Sequence, residues 1–109
     1  MRVLRFIVTG QIINQDPDCD FSGLVPGTEG YLKAEFRFSQ EWSGLTKVAA
    51  FYGSNRKEYP PQLLEDGTSC IIPTEALKKY AFKISLIGKG PGIKLVTNKV
   101  AVTQDGEEL

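Results

Sequence analysis

A chain of 109 residues with 13 Lys+Arg against 13 Asp+Glu carries no net charge, so it lacks the basic excess that drives binding to a phosphate backbone. It contains no histidine, which removes the usual general base near neutral pH and the commonest zinc ligand. Hydrophobic residues make up 41%, an ordinary value for a folded domain, and the length is enough for one core without staples.

Met1 to Thr9 reads as a first strand. Arg5 interrupts its apolar run and no small-residue cleavage pattern follows, so no secretion signal is expected. No run approaches the ~20 apolar residues of a membrane span, and no membrane partner is expected. Gly10 to Ile13 continues this element into a bulge or a second short strand. Residues 14–30, rich in Asp, Pro and Gly, predict a long loop of the kind that often serves as a docking arm. Asp16, Asp18 and Asp20 have the spacing of a calcium loop. Phe21 stands where such a loop needs glycine and Gly27 where it needs a bidentate glutamate, so a solvated turn is the better reading.

In the segment from Tyr31 to Tyr52, Leu32, Ala34, Phe36 and Phe38 alternate with Lys33, Glu35 and Arg37. This is the pattern of a strand with one buried and one wet face. A compact turn holding Trp42 leads to a second apolar strand from Lys47 to Tyr52. Trp42 reads as a plug over the end of a sandwich core. Trp42, Tyr52, Tyr59 and Phe21 are also the aromatic candidates for an interface with another protein.

Gly53 to Asn55 predicts a turn, and Arg56 to Tyr59 a short strand. Pro60-Pro61 cannot donate to a ladder and marks a sheet edge. Glu65-Asp66-Gly67-Thr68 lies between two apolar runs, which predicts a hairpin. Its carboxylates read as solvated, and Cys70 beyond it as buried and inert. Without a secretion signal Cys19 and Cys70 are expected as free thiols, and two cysteines without histidine cannot complete a zinc site.

One short helix is predicted near residues 74–80, capped by Thr74 and plugging one end of the sheets. Phe82, Ile84 and Leu86 mark another strand. Gly88 to Gly92 predicts a flexible hairpin loop. Its alternative as a phosphate cradle around Lys89 is weak, because Pro91 removes a donor and no helix follows. The anion contacts worth testing are Lys89, Gly90, Arg56 and Lys94. The chain ends in one strand or in two segments broken at Thr97-Asn98, and then in a frayed acidic tail at 104–109.

These elements predict a single all-β domain over residues 1–109, a compact antiparallel sandwich or small barrel of seven or eight short strands. No serine occupies a nucleophile elbow and no carboxylate pair is poised for acid–base work. An enzyme, a metal site and a cofactor are therefore not expected.

The order of Leu32 to Ser39, Glu41-Trp42-Ser43-Gly44-Leu45, Lys47 to Phe51, Leu64 to Pro73 and Thr97-Asn98-Lys99-Val100 resembles small β-rich domains encoded by phages and prophages of Gram-positive bacteria. The likeness covers about residues 30–103. It implies a structural or attachment role in the head, tail or baseplate of a virion. Function through protein–protein contacts, in a homo-oligomer, is the expected mode of action. The expected locations are the virion and, during infection, the bacterial host cytoplasm, with nucleic acid not a partner. The alternative is a counter-defence protein that binds a host effector or sequesters a signalling nucleotide, using a basic pocket built from Lys89, Lys94, Arg56 or Lys57.

Overall fold

The computed structural model describes residues 1–105, apart from the side chain of Asn55. Alternation builds the first sheet. In β1 (Arg2–Thr9) Leu4, Phe6 and Val8 are buried, and in β3 (Leu32–Phe38) so are Leu32, Ala34 and Phe36. Residues between them face outward, where Arg5 pairs with Glu35. β2 (Ile12–Gln15) folds back on β1 through Gly10-Gln11, with Gly10 at φ +57°. β6 (Ser69–Ile71) joins the far side of β3, which gives the order β2-β1-β3-β6.

β1 and β3 run parallel, while the other pairs are antiparallel. The β2 hairpin occupies one edge of β1. The chain therefore returns through residues 16–31 to the opposite edge and starts β3 beside the beginning of β1.

The second sheet is ordered β5-β4-β7-β8, from β4 (Thr46–Tyr52), β5 (Gln62–Leu63), β7 (Ala81–Gly90) and β8 (Ile93–Val96). β9 (Val100–Thr103) shares an edge of β7 with β8, one beside its start and the other beside its end. Thr97 closes the gap between them. Its N–H donates to the Leu86 carbonyl at 3.0 Å, and its Oγ1 accepts the Leu86 N–H at 2.9 Å. The break at Thr97-Asn98 thus divides two strands. With β2 formed as well, the described residues hold nine strands rather than seven or eight.

Asn98 also stitches the sheets together. Its Oδ1 accepts the Ile13 N–H at 2.8 Å and its own N–H donates to the Gln11 carbonyl at 3.1 Å.

The core between the sheets is closed at both ends. At one end Trp42, with no solvent exposure, donates its indole N–H to the Gly10 carbonyl at 2.7 Å. It sits in a 3-10 turn, Gln40–Trp42, that carries the chain from β3 in one sheet to β4 in the other. The plug reading of Trp42 therefore describes its position. At the other end Leu24, Leu77 and Gln104 close the core, with the Gln104 amide donating to the carbonyls of Leu77 and Lys79.

Several expectations need correction. The helix near 74–80 is a single 3-10 turn, Ala76–Lys78, though its Ala76 and Leu77 do plug the core. Asp66-Gly67 does not make a hairpin: β5 pairs with β4 and β6 with β3, so the turn is a corner between sheets. Gly88 to Gly90 belong to β7, and only Pro91-Gly92 turn, with Gly92 at φ +72°. The segment 14–30 is not a free arm, since Leu24 and Pro26 are buried and Gly27 donates its N–H to the Leu77 carbonyl. The tail cannot begin at 104, where Gln104 is anchored; residues 106–109 of that tail lie outside the described residues.

Candidate functional site

The site candidates read from the sequence fall into separate places. Lys89 and Lys94 face each other across β7 and β8 at one end of the second sheet. Lys83, at the other end of β7, is six residues from Lys89, or ~20 Å along a strand. Arg56 and Tyr52 lie at that far end, beside Lys83. The four anion candidates therefore do not form one pocket.

Gly90 is a packing residue, and so is Gly88. A Cβ on Gly90 would stand 2.8 Å from Leu45 Cδ2, and one on Gly88 2.7 Å from Trp42 Cζ3. The glycines admit the plug that closes the core, so the phosphate-like look of the segment has a steric origin.

Three of the four interface candidates are parts of the fold. Trp42 is wholly buried. Tyr59 is 7% exposed and its hydroxyl lies against Gly53, where a Cβ would meet it. Phe21 packs edge-on against Phe6, with ring centroids 5.4 Å apart. Being aromatic and near a turn marks a residue that fills space as readily as one that binds. Tyr52 alone of the four stands on the outer face of the second sheet. Its hydroxyl meets Ser85 Oγ at 3.2 Å, and the Lys99 ammonium lies 4.0 Å from its ring centroid.

Strand register creates a feature that no local stretch of sequence displays. Leu63 lies opposite Val48, Val48 opposite Ile87, and Ile87 opposite Val96. One aliphatic row thus crosses four strands on the outer face. Leu63 is 52% exposed and Val96 42%, with Val48 and Ile87 half-buried between them.

Lysines predominate around this row. The outward-facing positions of these strands carry Lys83, Lys89 and Lys94 and no aspartate or glutamate, while Lys47 points to the other face, its ammonium over the Phe38 ring. Lys89 and Lys94 flank the row toward one end, and Lys83 with Lys99 toward the other. Glu58, bridged to Tyr52, is a carboxylate at the margin, and the β5 end of the row runs toward the Glu65–Asp66 corner. The neutral total therefore conceals a basic, partly apolar face.

The carboxylates elsewhere serve turns. Asp66 accepts the N–H groups of Thr68 and Ser69 and the Ser69 hydroxyl, and these bonds, the Ser69 hydroxyl first, hold its pKa well below the usual carboxylate range. Asp20 is lowered by Ser22 in the same way, its side chain first and then its backbone. Both cysteines are free, and burial pushes the Cys70 thiol up to about 12. Among the described residues, no three Cys, Asp or Glu side chains are grouped so as to hold a metal ion. No helix among them is long and apolar enough to cross a membrane.

No known protein family, curated protein or solved structure matches the chain.

Proposed function

We propose that this protein is a non-catalytic binding module whose working surface is the outer face of the second sheet, and that it serves as an accessory protein of a phage particle. The observation that carries the binding reading is the row Leu63–Val48–Ile87–Val96 between lysine-bearing margins. An aliphatic strip with a basic rim suits a protein partner that offers apolar side chains ringed by Asp and Glu. The phage setting rests on the resemblance of the turn and core pattern.

The same charges weigh against the expected homo-oligomer at this face. Stacking two copies about either two-fold axis in the plane of the face sets lysines against lysines, which is unfavourable. We therefore assign the face to a different, acidic protein.

Mass spectrometry of purified particles from a host carrying the gene tests the setting. Tens of copies per particle support it. Absence from particles, with abundant protein early in infection, would overturn it in favour of a host target.

A further inference from the structure

A second feature of this face lies beside the row and calls for a different ligand. At the end of the second sheet where β4 finishes, a depression of about 400 Å³ is lined by Tyr52, Gly53, Ser54, Arg56, Lys83 and Lys99, with Ala81, Phe82 and Ala101 as its floor. Its origin is plain in the register. Tyr52 lies opposite Lys83 and Lys83 opposite Ala101, while Ala81 lies two residues before Lys83 on the same face. The small alanines leave a hollow that the Tyr52 ring and the 53–56 turn wall off.

Three cations border this hollow and no carboxylate lines it. Among the described residues, none of the three has an ion-pair partner. Placing like charges around one concavity costs stability unless an anion occupies it. Lys99 is held in place over the Tyr52 ring, which limits what its ordering costs on binding.

Arg56 adds an independent observation. It is the non-glycine residue with a left-handed backbone among the described residues, at φ +60°. Glycine would occupy that position without strain, yet an arginine stands there and lines the hollow.

We propose that this depression binds the dianionic phosphate group of a small phosphate monoester, with Arg56, Lys83 and Lys99 as its contacts and the organic part resting on Ala81 and Ala101. The volume suits a molecule of nucleotide size. Arginine and two ammonium groups match a phosphate in charge and in donors. The proposal is independent of the partner assigned to the aliphatic row.

Calorimetry on the full chain at low salt, with adenosine 5′-monophosphate, inorganic phosphate and adenosine as probes, tests it. The monophosphate is expected to bind, inorganic phosphate to compete with it, and adenosine to give no heat. Lys83→Ala/Lys99→Ala is expected to weaken the monophosphate about tenfold or more. Arg56→Gly relieves the left-handed backbone while removing a cation, so it is expected to keep or raise Tm and still lose affinity. No binding of the monophosphate, equal heats with adenosine, or unchanged affinity in Arg56→Gly and the double lysine variant would each overturn the proposal.

Discussion

Gly88 lies directly beneath the ring of Trp42: a Cβ built on it would stand 2.7 Å from Cζ3 and 2.8 Å from Cε3. Both contacts are closer than side-chain atoms tolerate, so β7 approaches the plug only because this position has no side chain.

Gly88→Ala should therefore overpack the closed end and cost roughly 1–3 kcal/mol. The backbone at Gly88 is not left-handed, so the loss reports packing alone. For a domain of this size that is a fall in Tm of several degrees. Trp42→Phe in the same chain should recover part of the loss, measured as a coupling in a double-mutant cycle. Additive effects would contradict the contact.

Thr97→Val keeps the shape of a buried side chain and removes the oxygen that accepts the Leu86 N–H. Leaving that donor unpaired should cost roughly 1–3 kcal/mol. Faster hydrogen exchange at Leu86, with β4 and β1 unchanged, would show the loss to be local. Thr97→Ser should hold most of the stability.

Asp66 makes an acid-sensitive corner. Its folded pKa lies below the ordinary 3.8, so the stability it contributes is complete above that value and is lost as pH falls through the folded pKa. Asp66→Asn should flatten the acid limb of a plot of Tm against pH below about 4. Asp20 acts in the same direction, so the limb should shrink rather than vanish.

The two thiols should react on different schedules. Cys70 is buried and its thiol is pushed up to about 12, so little thiolate forms at pH 8. A thiol reagent should modify no more than Cys19 in the native protein, and Cys70 only on addition of denaturant. Two rapid equivalents under native conditions would contradict the packing around β6.

Much of this fold is legible along the chain because its signals are local. The alternation from Leu32 to Phe38 and the edge at Pro60-Pro61 follow from neighbours within a few residues, whereas Thr97-Asn98 leaves one strand or two open until the pairing with β7 divides them. Asp66-Gly67 misleads because turn chemistry fixes the bend and not the sheet that the next strand joins. Gly88 and Gly90 look like a ligand loop because the residues they accommodate, Trp42 and Leu45, lie more than forty positions earlier. The candidate face is the least legible part. Val48, Leu63, Ile87 and Val96 meet only through strand register, and Lys83 meets Arg56 and Lys99 only through the pairing of β4, β7 and β9. Alternation says that a strand has two faces, but pairing decides what each face collects.

The most direct test of the binding face uses the pair Leu63→Thr/Val96→Thr. Both residues are about half exposed, so the variant should fold with a Tm within a few degrees of the parent. Its copy number in purified particles, measured by quantitative mass spectrometry beside the parent chain, reads the face itself. The expected result is a folded variant depleted at least tenfold from particles that contain the parent. A folded variant incorporated at the parent's copy number would contradict it.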